Sequence, residues 1–378
     1  MIRTIAFIGG RDLHTLGGIE NYTLNLSQRL VERGYEVVVY SESDHHECLR
    51  EKGVKVITWK SFHNNLIDKP FCGFLSTLHA FFIEKHVDLF HYNAWGPSLS
   101  SWIPLLFGKK SLMQGHGLEW QRTKYSPFQQ KIMKMMERIT AHLNRNLIMV
   151  SQDQTDYFLK QYGRKAVTIT PGISIPDCGA IEKENELLQS LDLEKEKFFL
   201  YLGRLVQDKN PDVLIQAFLK LNPLHYKLVI AGDNPAAPDY VAYLKQLGHD
   251  CKNIIFTGAV FGNKKNALLK NTLAYCIPST LEGLPISLLE AMSWSRYCIA
   301  SDIPGCREAL GDAGIFVPLD QLCDGFADKM DAFIRAREDG VSAKMECPQN
   351  KKRVSQFFSW DIITDQYIEY IEHLKEVL

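Results

Sequence analysis

The chain has 378 residues, 46% hydrophobic and 23% charged, a globular composition with room for two domains of ordinary size, which excludes a disordered or fibrous protein. Its 43 basic and 44 acidic residues leave a net charge of −1, which argues against nucleic-acid binding through an overall positive field. Nine scattered cysteines without metal-ligand spacing read as reduced thiols, the N-terminal apolar run is broken by Gly9, Gly10 and Arg11 too soon for a secretory signal, and no run approaches the ~18 residues of a membrane span, so the expectation is a cytoplasmic protein that touches a membrane at most by its surface.

Short β-rich runs alternate with longer amphipathic ones from the first residue. TIAFIGG, EVVVYSES, VKVITW, VDLFHYN, SLMQGHG, NLIMVSQ and AVTITPG read as strands, and the first helix carries Ile19, Tyr22, Leu26 and Leu30 at helical spacing before a stop at Arg33-Gly34. Near-continuous apolar strands alternating with helices predict a parallel sheet covered on both faces. Over residues 171–197 the pattern lapses into proline, glycine and charge, and then restarts with FFLYLGRL, KLVIAGD, NIIFTGAV, LAYCIPS, YCIASD and GIFVP. Two consecutive doubly wound α/β domains follow, over residues 1–173 and 174–355, with an amphipathic closing helix over 356–378 that presents Ile362, Ile363, Tyr367, Ile371 and Leu374 and packs back toward the first domain.

Ligands bind such sheets beyond the carboxyl ends of the strands, so residues just after each strand are the candidates. After the first strand, Gly17-Gly18 at a helix start suits either a diphosphate or a tight turn. In DLFHYNAWGPS, His91, Tyr92 and Trp95 offer an aromatic platform for a sugar face, with core packing as the alternative. His116 stands between two glycines, open to a ligand, with Glu119 and Trp120 close behind. The segment SPFQQKIMKMMERITAHLNRN carries Lys131, Lys134, Arg138 and Arg145 beside Phe128, Ile132, Met133, Met136 and Ile139, as a helix lying on an anionic bilayer would; an ordinary packed helix is the alternative.

In the second half, Arg204 and Lys209 follow a strand with Asn210-Pro211 opening a helix, and two cations so placed can clamp a pyrophosphate. In PSTLEGLPISLLEAMS, Glu282 lies in a loop and Glu290 in the helix that follows, with Pro285 expected in the first helical turn. Both carboxylates flank a helix N-terminus, a place to hold an anion together with a group that bears hydroxyls.

GGIEN, the HG at residue 116, LGRLVQDKNPDVLIQAF, VIAGD, PISLLEAM and the E-x7-E pair resemble, in order and spacing along essentially the whole chain, the retaining nucleotide-sugar glycosyltransferases of family four. That resemblance implies the GT-B fold, two facing Rossmann-like domains. A narrower likeness to the bacterial rhamnosyltransferase-type subfamily lies in VDLFHYNAWGPSLSSWIPLLFGKK and GHGLEWQRTKY, although Tyr125 replaces that subfamily's tryptophan and TLGGIE its RYGGFE.

By the same resemblance Arg204 and Lys209 bind the donor diphosphate, Glu290 the ribose and Glu282 the transferred sugar. The helix start at Leu284, Pro285 and Ile286 meets phosphate or sugar oxygens, Gly18 approaches the diphosphate, His116 contacts the donor sugar and the Val260 backbone meets the base. The implied donor is a dTDP- or UDP-sugar, used as a substrate with no cofactor. No D-x-D stands where a metal would be wanted, so no essential Mg²⁺ is expected. The implied acceptor is a glycan or polyprenyl-diphosphate-linked sugar in surface polysaccharide synthesis, and rhamnose is the sugar suggested by the narrower likeness. An epimerase or phosphorylase of the same architecture, or a silent nucleotide-binding partner subunit, are the competing readings.

Overall fold

Strand and helix alternate into two parallel sheets, seen in a computed structural model that describes residues 2–10, 18–61, 65–84, 86–121, 125–177, 179, 181–340 and 346–374. The first sheet holds β1 (Thr4–Ile8), β2 (Glu36–Ser43), β3 (Cys48–Glu51), β4 (Val54–Lys60), β5 (Leu89–Asn93), β6 (Lys110–Gly115), β7 (Asn146–Met149) and β8 (Val167–Thr168), in the order β3-β4-β2-β1-β5-β6-β7-β8. Its pairings are parallel except that of β3 with β4. The β3–β4 hairpin is absent from the sequence reading. It turns through Lys52 (φ 46°) and Gly53 (φ 85°), so lysine occupies a left-handed position where Asn or Asp would have signalled the turn.

The helices of this region are α1 (Gly18–Glu32), α2 (Asn65–Phe82), α3 (Trp95–Ser98), α4 (Trp102–Leu106), α5 (Pro127–Leu143) and α6 (Gln152–Tyr162). Strand alternation sends Ile5, Phe7, Leu89, Leu112 and Ile148 to one face, where Tyr22, Leu26 and Leu30 of α1 cover them. Ile8, Tyr92, Met113 and Leu147, which lie in register across four strands, face the other side. There Ala80 of α2, Ala141 of α5 and Phe158 of α6 close the core.

The second sheet is all parallel, with β9 (Phe198–Leu202), β10 (Lys227–Ala231), β11 (Ile254–Gly258), β12 (Ala274–Ile277), β13 (Cys298–Ser301) and β14 (Ile315–Val317) in the order β11-β10-β9-β12-β13-β14. Around it lie α7 (Glu184–Gln189), α8 (Pro211–Leu221), α9 (Pro238–Leu247), α10 (Gly262–Asn271), α11 (Ile286–Ser293), α12 (Pro304–Leu310), α13 (Leu322–Glu338) and α14 (Pro348–Phe357). α8, α9 and α13 pack on the face of Phe199 and Ile230, while α10, α11, α12 and α14 pack on that of Leu200 and Val229.

Contacts divide the chain into Met1–Gly172 with Trp360–Leu378, and Ile173–Ser359. The last helix, α15 (Trp360–Glu372), therefore belongs with the first sheet. Its Ile363, Tyr367 and Ile371 are buried against the α1 side, and the Tyr367 hydroxyl lies 2.7 Å from His91 Nδ1. Trp360 anchors its start, with the Tyr22 ring 5.9 Å and the Arg29 guanidinium 5.2 Å from its ring. Trp360→Ala should cost about 3–5 kcal/mol of unfolding free energy, the usual loss for a buried large aromatic, read from urea titration; a change below about 1 kcal/mol would mean that α15 does not stabilise the first sheet.

Candidate active site

Adjacent parallel strands whose connections leave toward opposite faces open a crevice at their carboxyl ends. In the second sheet those strands are β9, which leads to α8, and β12, which leads to α11. Their loops are tied to each other. The Thr280 N–H donates to the Asp208 carbonyl at 2.9 Å, and Asn210, at φ 44°, donates from Nδ2 to the Pro278 carbonyl at 3.0 Å. The buried Tyr275 hydroxyl bridges the Leu202 carbonyl (3.1 Å) and the Ser287 hydroxyl (2.7 Å), which links the end of β9 to the start of α11; burial raises its pKa well above the ordinary tyrosine value, so it stays protonated. Gly305 at the start of α12 closes the floor, since a Cβ there would stand 2.5 Å from the Gly283 carbonyl oxygen.

Within this frame Lys209 Nζ lies 2.8 Å from Glu282 Oε1, which also accepts from Ser279 Oγ at 2.9 Å. Both contacts fall on Oε1, and a carboxylate carries acceptor sites on its second oxygen as well. Glu290 lies five residues into α11 and pairs with Lys265 of α10 at 2.6 Å. Both ion pairs are half-buried, so the carboxylates are oriented before any ligand arrives. Arg204 is exposed in the β9 loop, its carbonyl accepting from the Tyr201 hydroxyl at 2.9 Å.

Pro285 is not in the first helical turn, as the sequence suggested. It caps α11 from outside in an extended conformation (φ −76°, ψ 106°), and its carbonyl accepts from the N–H groups of Leu288 and Leu289. The N–H groups of Ile286 and Ser287 thus begin the helix without a carbonyl one turn behind them. Leu284 and Val260 turn their side chains into the core, which leaves only their backbone to a ligand.

In the first sheet the corresponding strands are β1 and β5, leading to α1 and α3. Gly18 opens α1, and a Cβ there would meet nothing within 4 Å. His116 follows β6; its Nε2 donates to Asn93 Oδ1 at 3.0 Å, Asn93 Nδ2 is 3.1 Å from Thr23 Oγ1, and the Tyr22 ring meets the imidazole edge at 5.4 Å. Gly17 lies outside the described residues. Glu119 sits in the 3-10 turn Glu119–Gln121, and its side chain is likewise outside them.

The aromatic platform expected at His91, Tyr92 and Trp95 does not exist. His91 and Tyr92 lie within β5 and Trp95 opens α3, and all three are buried. Burial, with His116 adding to it, lowers the His91 pKa well below the ordinary histidine value, so its ring is neutral. Sequence reading also missed Lys265, Ser279, Asn93 and Thr23. Lys265, Asn93 and Thr23 act through partners distant in the chain, whereas Ser279 acts on Glu282 three residues on; Asn93 and Ser279, each at the end of a predicted strand, stood where a signal could have been read.

Trp120 is held against α5: its Nε1 donates to Glu137 Oε2 at 3.0 Å, and Lys134 Nζ lies 4.5 Å from its ring centroid. Glu137 is fully buried and also accepts from the hydroxyls of Tyr157 (3.0 Å) and Tyr162 (2.7 Å). With its one carboxylate turned inward, α5 shows solvent Phe128, Lys131, Lys134, Met135, Arg138 and Ile139. Lys131, Lys134, Arg138 and His142 line an open pocket of about 510 Å³ together with Tyr162 of α6.

The family profile described as glycosyl transferases group 1 matches residues 196–336, and that described as glycosyltransferase family 4 matches residues 16–175. An uncharacterized glycosyltransferase of Methanocaldococcus jannaschii is 31% identical over 393 residues, spanning 96% of each chain. A UDP-Gal:alpha-D-GlcNAc-diphosphoundecaprenol alpha-1,3-galactosyltransferase of Escherichia coli is 27% identical over 271 residues, 68% of each chain. Among solved structures, HepE of Anabaena in complex with UDP and glucose superposes with a TM-score of 0.77 at 18% identity, covering 98% of this chain and all of that one.

Burial raises the Glu137 pKa above its ordinary 4.5, outweighing the three donors that favour the ionised form. The folded state therefore holds this proton more tightly than the unfolded one. The stability it contributes is full below the ordinary value and is lost as pH rises through the raised one. Denaturation midpoints of Glu137→Gln against pH should lack this fall, whereas Glu137→Ala, which strands three part-buried donors, should lose about 3 kcal/mol at every pH. Parallel pH profiles for wild type and Glu137→Gln would contradict the assignment.

Proposed function

The chain belongs to the group 1, family 4 glycosyltransferases and has their two-domain α/β GT-B fold with parallel sheets, and on that premise we propose that it moves a hexose from a UDP- or dTDP-sugar to a lipid-linked sugar, with retention at the anomeric carbon. The observation that carries this is the meeting of Arg204, Lys209, Glu282, Glu290 and the start of α11 at one end of the second sheet.

Lys209, held by Glu282, has further ammonium hydrogens for a diphosphate oxygen, and Arg204 brings a fork that grips a second. The first-turn N–H groups of α11 add neutral donors. As the bond from the anomeric carbon to the diphosphate oxygen breaks and the acceptor hydroxyl oxygen bonds that carbon, charge builds on the diphosphate, which these groups stabilise and which takes the hydroxyl proton. Glu290 accepts from the ribose hydroxyls and Glu282 Oε2 from the sugar.

A relative named for a diphosphoundecaprenol substrate supports a polyprenyl-diphosphate acceptor, and the narrower likeness of the sequence makes rhamnose the first sugar to try. The basic, partly apolar outer face of α5 is suited to the anionic membrane that carries such an acceptor. An epimerase or phosphorylase reading has no observation in its favour.

UDP or dTDP at about 100 times its dissociation constant should stabilise the protein by about 2.7 kcal/mol in a thermal-shift assay, with EDTA present because no divalent ion is required in this reading. Absence of a shift with UDP, dTDP and GDP alike would contradict the donor site. In calorimetry Glu290→Ala should weaken nucleoside-diphosphate binding roughly tenfold to a hundredfold, the worth of a charged hydrogen bond. Glu282→Ala should leave that affinity nearly intact and depress transfer, and equal losses in two folded variants would overturn the division of labour.

A further inference from the structure

α2 is built inside out. The side chains it buries, Asp68, Cys72, Ser76, Thr77 and Ala80, are small or polar, while Ile67, Phe74 and Phe82 point to solvent. Phe82 (57% exposed) and Ile83 (63%) stand at its C-terminal end, and Leu106 (73%) and Phe107 (62%) at that of the neighbouring α4 are about as open. The Phe81 ring ties these ends together, 5.0 Å from that of Phe82 and 4.7 Å from that of Phe107. Single exposed apolar residues are ordinary, but a continuous patch of large ones marks a surface that something covers.

Charge says what covers it. Among the described residues α2, α4 and α5 expose no carboxylate: Asp68 is buried and accepts from Ser61 Oγ at 2.8 Å, and Glu137 is buried among its three donors. Glu84, just after α2, is paired with Lys55 at 2.7 Å. Lys109 and Lys110 follow α4, and Lys131, Lys134 and Arg138 lie on the outer side of α5. Register places α2 and α5 on the same face of the first sheet, since Ala80 packs with Ile8 and Tyr92, and Ala141 with Met113 and Leu147. One helical layer therefore presents aromatic and aliphatic side chains at one part and cations at another, the composition of a surface that sits in the interface of an anionic bilayer. No helix among the described residues is long and apolar enough to cross a membrane.

We propose that the outer face of α2 and α4 inserts into the interface of an anionic phospholipid membrane as an apolar anchor, and that the α5 cations add an electrostatic one. The inference rests on the reading of a membrane-borne acceptor and names the surface that reaches it. Two anchors of different physics respond differently to salt. At about 1 M NaCl, where the screening length falls to about 3 Å, the α5 contribution vanishes and the apolar one remains.

The test is flotation of the full chain with phosphatidylcholine–phosphatidylglycerol vesicles at low and high salt, with brominated acyl chains to quench Trp102 on α4. Wild type should float at low salt and keep a measurable fraction in high salt, with quenching that is lost in Trp102→Phe. The triple variant Phe82→Ser, Ile83→Ser, Leu106→Ser should lose that high-salt fraction at least tenfold, with unchanged circular dichroism and UDP affinity. Lys131→Glu with Lys134→Glu should lose only the salt-sensitive part. The proposal is overturned if wild type does not float, if the triple variant floats as wild type does, or if wild type is a dimer in solution that the triple variant makes monomeric, which would put a second copy on the patch. Failure of UDP to bind wild type would instead sink the transferase reading, and the flotation result would stand apart from it.

Discussion

The order in which parallel strands pair is the constraint from which the site follows. In each sheet the first strand of its half, β1 or β9, has its own crossover on one side and a strand from the opposite winding on the other, β5 or β12. Connections that leave toward opposite faces cannot fill the space beyond those strand ends, and the space is open for a ligand. Arg204, Lys209, Glu282 and the start of α11 stand around one such place, and Gly18, Asn93 and the nearby His116 around the other.

Side chains at the second switch point are fixed before a ligand arrives. Lys209 and Lys265 each orient a carboxylate, the Tyr275 hydroxyl holds Ser287 to the end of β9, and Thr280 and Asn210 stitch the two loops together through the backbone. A diphosphate bound there meets charges and dipoles that need little reorganisation, the condition under which electrostatic stabilisation of a leaving group is effective. The ion pairs carry a second consequence. Removing either lysine leaves a half-buried carboxylate unpaired, so its effect on binding includes repulsion of the nucleotide as well as loss of a contact.

Much of this was legible in the residues because buried parallel strands are written as apolar runs and their ends as glycine, asparagine or charge. VIAGD and LGRL announce strand ends by composition, and Arg204, Lys209, Glu282 and Glu290 could be picked out by position alone. The pairing of Lys265 with Glu290 could not, since 25 residues and a full strand separate them and no local pattern records the contact. His91 and Tyr92 misled for the opposite reason. DLFHYN does not say where the strand stops, and polar aromatic residues inside it look like residues beyond it, while the hydroxyl that makes the burial of His91 tolerable comes from Tyr367, far along the chain. The face of α2 was missed because a helix that turns its large apolar residues outward has the same periodicity as one that turns them inward.

A crystal structure of the chain with UDP would decide whether the second switch point is the donor site. The diphosphate should lie within hydrogen-bonding distance of Arg204, Lys209 and the Ile286 or Ser287 N–H, and the ribose hydroxyls on Glu290 beside Lys265. A nucleotide bound elsewhere, or one seated there with Glu290 turned away and Lys209 still engaged only with Glu282, would contradict that assignment.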